Sequence, residues 1–168
     1  MKNKNRLIYE GKAKKIFSGP NKNTYIQFFK DSATAFNNKK KATVKNKGII
    51  NNLISAHIFS YLNKNSVQTH FIRRISDREQ LIKKVKIIPL EVVIRNIAAG
   101  SIAEKFNITE GTRLPKTIIE YYYKCDKLND PFVNKNHIIA FKWANELELR
   151  SIEIQANKIN ILLKKMFN

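Results

Sequence analysis

The sequence is short of nearly everything that would staple a chain, anchor it or neutralise it. It has one cysteine, Cys125, so no disulfide can form within it, and a reducing cytoplasm is the expected setting. No uninterrupted apolar run is long enough to span a bilayer. Lys12, Lys14 and Lys15 arrive before an apolar stretch could build a secretory signal, so the N-terminal segment is expected to belong to the fold. Histidine is scarce: His57, His70 and His137 show no metal-ligand spacing, and no metal site is expected among these residues. Neither a Walker A loop nor a G-x-G-x-x-G pattern occurs, so the familiar glycine-rich phosphate cradles are absent. Acidic residues are few, 13 against 32 lysines and arginines, which leaves a net charge of +19.

Hydrophobic residues make up 43% of the 168, enough for a real core in one domain or two small lobes. The charge admits two readings. It fits an electrostatic footprint for nucleic acid, and a basic RNA-binding module is one alternative for the whole chain. It also fits compositional drift, because lysine, asparagine and isoleucine are abundant together and the lysines are spread out, with short runs such as Lys39-Lys40-Lys41 as exceptions. The chain has no arginine-rich stretch, and its aromatics sit in strand-like apolar runs rather than on a stacking platform. Either origin would draw in small anions.

Strand patterns dominate the first third. Leu7 to Glu10 leads into Gly11, Lys14 to Phe17 resumes an extended pattern, Gly19-Pro20-Asn21 marks a turn, and Thr24 to Lys30 supplies β-favouring bulk. Residues 47 to 62 change to a helical period, with Ile50, Leu53, Ile54, Ile58, Tyr61 and Leu62 on one face and Asn51, Asn52 and Ser55 elsewhere. His57 falls near that stripe and is expected in the core. Val67 to Arg73 and Gln80 to Ile88 read as strands about a Ser76-Asp77 turn, and Leu90 to Ile94 as a buried strand. Ser101 to Phe106 reads as a short helix and Ile118 to Tyr123 as a strand. The last helix is the best marked. Asn145 is placed to cap it with Glu148, and Leu149, Ile152, Ala156, Ile159, Leu163 and Met166 form an apolar stripe. Strands mixed with a few helices, without regular alternation, predict an α+β fold.

Three segments concentrate chemistry. Glu10-Gly11-Lys12-Ala13-Lys14-Lys15 sets lysines just beyond a strand-turn glycine. If the second strand is regular, Lys12 and Lys14 share a face, as a phosphate clamp requires, although a solvated basic hairpin edge accounts for the same letters. Arg95-Asn96-Ile97-Ala98-Ala99-Gly100-Ser101 offers a planar guanidinium at a strand end beside small residues, as an anion site or as a structural arginine at a tight connection. Lys124 to Pro131 gathers Lys124, Asp126 and Asp130 after a strand, where sites and ordinary Asp/Asn/Pro turns both form. Cys125 carries no nucleophile signature.

Taken in order, these segments resemble one family. Tyr9-Glu10-Gly11-Lys12-Ala13-Lys14, then Lys30-Asp31-Ser32-Ala33-Thr34-Ala35-Phe36-Asn37, Lys47-Gly48 with Asn51-Asn52, and Thr69-His70-Phe71-Ile72 resemble the opening blocks of SAICAR synthetases. Pro89-Leu90-Glu91-Val92-Val93-Ile94-Arg95-Asn96 with Ala98-Ala99-Gly100-Ser101, then Glu110-Gly111, then Tyr123-Lys124 with Asp126, Asp130 and Pro131 continue the series. The resemblance implies a mostly antiparallel N-terminal sheet lobe with a helix, residues 1–86, on the ATP-phosphate side. It implies a second α+β lobe, residues 87–168, on the substrate side and incomplete. It implies an ATP-dependent ligase of purine biosynthesis, in which ATP activates the carboxylate of carboxyaminoimidazole ribonucleotide and the amine of L-aspartate displaces phosphate. Lys12 and Lys14 would hold ATP phosphates, and Ile87 to Glu91 would meet the adenine. Arg95, Ser101 and Asp126 would bind substrate, and Lys12, Lys124 and Asp130 would take part in catalysis. Asp31 would wall or scaffold the site.

The family pattern continues beyond Phe167 with residues that the resemblance credits with Mg²⁺ binding. The expectation is therefore an incomplete site, an exposed apolar stripe on the last helix, and little activity from these 168 residues alone. Self-association, a complementing second fragment, or a degenerate remnant without a role are further expectations on that ground.

Overall fold

The computed structural model describes residues 6–35 and 40–167, and the readings that fall on Phe36, Asn37 and Lys39 lie outside the described residues. The chain divides into two compact units, Met1–Lys86 and Ile87–Asn168.

Unit 1 is built on a five-stranded antiparallel sheet. Its strands are β1 (Leu7–Glu10), β2 (Lys14–Ser18), β3 (Thr24–Phe29), β6 (Phe71–Arg74) and β7 (Glu79–Lys83), in the order β1-β2-β3-β7-β6. β4 (Ser32–Ala35) and β5 (Lys40–Thr43) pair separately. Helix α1 (Lys47–Lys64) packs on β3, β6 and β7. Its N-terminus approaches the sheet closely: a Cβ on Gly48 would collide with the Phe29 carbonyl and the Arg78 guanidinium, so only glycine fits.

The face that α1 buries follows its periodicity in the second half, where Leu62 is buried and Ile58 and Tyr61 half-buried, and departs from it in the first half. Gly48, Asn52 and Leu62 are buried, whereas Ile50, Leu53 and Ile54 stay 52%, 44% and 52% exposed, and His57 is exposed rather than in the core. Hydrogen bonding explains the departure. The Asn52 side-chain amide donates to the carbonyls of Ser76 (2.9 Å) and Asp77 (2.8 Å), and the Gln80 amide donates to the Asn52 carbonyl (3.1 Å). A buried asparagine that satisfies two turn carbonyls outweighs a row of aliphatic side chains.

Unit 2 carries a three-stranded antiparallel sheet, β10-β9-β8, from β8 (Leu90–Ile97), β9 (Arg113–Tyr123) and β10 (Phe132–Val133). Its helices are α2 (Ser101–Phe106), α3 (Lys135–Ala140) and α4 (Glu146–Phe167). The core gathers Tyr121, Val133, Ile138, Ala144 and Leu149, with Tyr123 stacked on Trp143 at 4.1 Å. β8 is half-buried rather than buried, because it lies at the edge of the described sheet. The apolar stripe of α4 is half-covered. Beyond Leu149, it and β8 leave a groove of about 490 Å³ lined by Val92, Ile94, Ile152, Ala156, Ile159 and Leu163. Asn145 and Glu148 form the expected capping box, each accepting the other's backbone N–H at 2.9 Å. α3 starts with a box of its own from Asn134 and His137, which the sequence reading did not find.

Candidate functional site

In unit 1 the chemistry gathers at the β1–β2 turn. The Gly11 N–H donates to the Lys14 carbonyl (2.9 Å) and closes it. Lys12 therefore lies in the turn, and β2 begins only at Lys14, so the strand-face argument that paired the two lysines does not apply to Lys12. Both remain solvent-accessible and come from one turn. Lys14 stands opposite Phe29 in the register, with its ammonium 5.1 Å from that ring's centroid. The protein around the ammonium weakens its hydration and lowers its pKa. Lys15 is committed elsewhere: Glu10 binds both Lys15 (3.2 Å) and Lys30 (2.7 Å), and Lys30 also donates to the Gly11 carbonyl (3.2 Å). Hydrogen bonds from Lys30 and then Lys15 hold the Glu10 carboxyl below its ordinary range. The roles of Glu10 and Lys30 were missed, because only the β2–β3 register brings Lys30 back to the turn.

Asp31 is a scaffold. Its carboxylate takes a two-point bond from Arg78 (2.7 and 2.9 Å) and the Gly48 N–H (2.8 Å), and the Arg78 bond is the largest cause of a pKa lowered to about 2. Arg78, 47 residues away, carried no local signal.

In unit 2, Arg95 and Ser101 do come together, and they largely serve each other. The Arg95 Nε–H donates to Glu120 (2.6 Å), Nη1 to the Ala99 carbonyl (3.0 Å) and Nη2 to Ser101 Oγ (3.0 Å). Glu120, 8% exposed, also accepts from the Tyr122 hydroxyl (3.0 Å) and raises the Arg95 pKa. This clamp fixes the connection into α2, where Gly100 adopts φ 58° and its N–H donates to Glu110 (3.0 Å). A guanidinium has five N–H donors, and the three bonds to Glu120, Ala99 and Ser101 do not use all of them. Glu120 was missed, since its pairing with Arg95 follows from the β8–β9 register, which sets it opposite Val93.

The remaining predicted residues of unit 2 fall into two groups. Lys124 and Glu91 meet at 3.5 Å on an exposed surface, and Ile87 is 71% exposed. Asp126 opens a 3-10 turn (Asp126–Leu128), and Asp130 closes the same loop by accepting the Cys125 N–H (2.7 Å), so one of its oxygens is structural. Glu153, also missed, accepts from Tyr121 (2.5 Å) and pairs with Lys135 (2.6 Å). An acid next to Ile152 on the packed stripe of α4 was the available signal. Burial and Glu153 push the Tyr121 hydroxyl far above its ordinary pKa.

A family model described as SAICAR synthetase matches residues 7–168. The chain belongs to the SAICAR synthetase family. It is 56% identical over 165 residues to the phosphoribosylaminoimidazole-succinocarboxamide synthase of Sinorhizobium fredii, covering 98% of this chain and 65% of that relative. The crystal structure of the synthase from Ehrlichia chaffeensis superposes with a TM-score of 0.94 at 50% identity, over 96% of this chain and 68% of that one. A SAICAR synthetase in complex with ADP superposes at 0.89 and 40% identity, over 94% of this chain and 66% of that one. These neighbours bear out the α+β fold and the antiparallel sheets. They give no support to an RNA-binding module. No helix among the described residues is long and apolar enough to cross a membrane.

Proposed function

We propose that the protein acts in the ligase step of purine biosynthesis. ATP phosphorylates the carboxylate of carboxyaminoimidazole ribonucleotide, and the amine of L-aspartate then displaces phosphate. The amide formed is SAICAR, with ADP and phosphate released. One observation carries this reading: 56% identity to such a synthase across 98% of the chain. A cytoplasmic setting accompanies it.

The residue roles follow from how each side chain is engaged. Lys14 is accessible yet poorly hydrated, and a cation in that state gains by pairing with a phosphate oxygen. Lys12, on the same turn, is the second phosphate ligand. Ile87 to Glu91 meets the adenine, largely through backbone. Arg95 holds Ser101 and offers its remaining N–H capacity to the carboxylate or phosphate of the nucleotide substrate. Asp126, with Lys124 and the second oxygen of Asp130, lines the substrate side. These groups work by positioning and by neutralising charge, which is where phosphoryl transfer draws most of its catalysis.

The family implies Mg²⁺, which would supply positive charge to the phosphates of ATP. Among the described residues no three His, Cys, Asp or Glu side chains converge on one point, so none of them is assigned to the metal. The family resemblance gives the expectation that these 168 residues bind nucleotide with little or no turnover. Calorimetry with ADP and an ATP- and aspartate-dependent SAICAR assay on the same preparation test both halves. Lys14→Ala should weaken ADP binding by about tenfold or more, the worth of one charge-assisted contact. Undetectable ADP binding by the unmodified chain, or binding indifferent to Lys12→Ala and Lys14→Ala together, would sink the assignment. SAICAR formation at the rate of full-length relatives would overturn the expected loss of turnover.

A further inference from the structure

The sheet of unit 2 has two faces of different chemistry. Cross-strand partners share a face, and the paired Tyr121 and Val133 turn theirs into the core. The opposite face therefore carries Tyr122 and its partner Phe132, with Glu120 and Arg95 at alternate positions of β9 and β8. Helix α2 presents two side chains to this face. Ser101 accepts from Arg95 at 3.0 Å, and the Lys105 ammonium sits over the Phe132 ring (5.7 Å to the centroid) and the Tyr122 ring (5.9 Å). Those two rings meet edge to face at 5.8 Å. Residues four apart on a helix stand one above the other, with Cβ atoms about 5–6 Å apart. Ser101 and Lys105 thus line one side of α2, while Ile102 and Ala103 are buried with Ala98.

The charges on this face do not balance. Glu120 accepts from Arg95 at 2.6 Å, so the Arg95–Ser101 clamp is close to neutral and attracts an anion only weakly from a distance. Lys124 is paired with Glu91. The Lys105 ammonium rests on two rings and pairs with no carboxylate among the described residues. Ring faces attract an ammonium without supplying an oxygen acceptor, so its N–H groups remain available to one.

We propose that Lys105 is a further substrate-binding residue, which with Ser101 and Arg95 seats the phosphate of the nucleotide substrate. The proposal rests on the reading of Arg95 and Ser101 as substrate contacts. Groups one helical turn apart can reach different oxygens of a single phosphate. Two points select the phosphate over the carboxylate. A phosphate monoester carries close to two negative charges at neutral pH, more than a clamp already neutralised by Glu120 can offset. The carboxylate must also keep an oxygen free to attack ATP, and a seat that bonds it from two sides would blunt it as a nucleophile. The phosphate takes no part in the reaction, so holding it fast serves to position the rest of the substrate.

The test measures, by calorimetry, the binding of SAICAR and of its dephosphorylated nucleoside to the unmodified chain, Lys105→Gln and Lys105→Arg. Lys105 is exposed, so both variants should fold, with melting temperatures within about 2 °C of the parent. SAICAR affinity should fall about tenfold in Lys105→Gln, the loss of one charge-assisted contact, and stay within about threefold in Lys105→Arg, which keeps the charge. The nucleoside, read by competition at higher concentration, should bind the parent and Lys105→Gln within about twofold of each other. If SAICAR binds and loses affinity on Ser101→Ala while Lys105→Gln leaves it unmoved, Lys105 only covers the rings and this proposal alone fails. Equal losses for SAICAR and the nucleoside would place Lys105 away from the phosphate and overturn it too. If the unmodified chain binds no SAICAR, the substrate reading of Arg95 and Ser101 fails and takes the proposal with it.

Discussion

The two units bury different material. Among the described residues, unit 1 encloses Thr24, Gln27, Asn52 and Gln80, and its two most enclosed large side chains, Asn52 and Gln80, are both amides. Unit 2 encloses one polar side chain, Glu120, and centres on Ile138, which is fully buried, with Tyr121 and Leu149 close by. The charge differs as sharply: twenty lysines and arginines against four acids in unit 1, twelve against nine in unit 2. Apolar packing tolerates small shifts, whereas hydrogen bonds from Asn52 to two turn carbonyls admit one placement of α1 on the sheet. Unit 1 thus fixes its geometry with directional bonds and leaves its cations in excess, a state that an anion relieves. Unit 2 pairs charge with charge, Arg95 with Glu120, and so clamps the turn into α2.

The comparison breaks first at Ile138. Ile138→Ala opens a cavity in a core with no polar scaffold to absorb it and should cost about 2–5 kcal/mol. Trp143, the single tryptophan, reports on this unit, and its fluorescence in a urea titration gives the shift. A loss well under about 1 kcal/mol would show that unit 2 is not held by apolar volume. Next comes Asn52→Ala, which strands the Ser76 and Asp77 carbonyls and should cost about 1–3 kcal/mol by far-UV circular dichroism in urea. Asn52→Leu should fare no better, since the side chain it adds cannot satisfy those carbonyls. If the leucine variant is as stable as the parent, the polar core of unit 1 is dispensable.

A third test uses acid. The Asp31 carboxyl titrates at about 2 in the folded protein against 3.8 ordinarily. A depressed acid contributes stability that is full above its unfolded pKa and is lost as pH falls through the folded one. The melting temperature should therefore drop between about pH 4 and pH 2, and Asp31→Asn should flatten that part of the drop. Glu10 and Glu153 are lowered too and act in both proteins, so the difference between the two isolates Asp31. Parallel curves would mean that the Arg78 pair lends the fold no net support.

What the sequence made legible was what depends on neighbours along the chain. The strand limits of β1, β2 and β3, the extent of α2, and the capping box of α4 follow from turn residues, capping side chains and short periods. So does the bringing together of Arg95 with Ser101, six residues apart. What stayed hidden depends on register. Arg78 reaches Asp31 only because β7 pairs with β3, and Glu120 reaches Arg95 only because β8 and β9 pair with Glu120 opposite Val93. The first half of the buried face of α1 was misread because hydrophobic period alone weighs apolar contact and is blind to an amide whose acceptors lie 24 and 25 residues away.

The helix starts put that distinction to its finest test. α4 is capped by its own residues, Asn145 and Glu148. α1 has Asn46 before it at φ 66° with no side-chain cap, and its Gly48 N–H is answered by Asp31, 17 residues back. Asn145→Ala removes a local cap and should cost about 1 kcal/mol, with Asn145→Ser recovering most of it, since serine serves an N-terminus nearly as well. Measured in a Glu148→Gln background, where neither cap group ionises, the effect should not change between about pH 4 and pH 2, whereas the α1 cap weakens as Asp31 takes a proton. If the loss from Asn145→Ala shrank with acid as the Asp31 contribution does, the two helix starts would not be independent, and the split between a locally written and a register-written cap would fall.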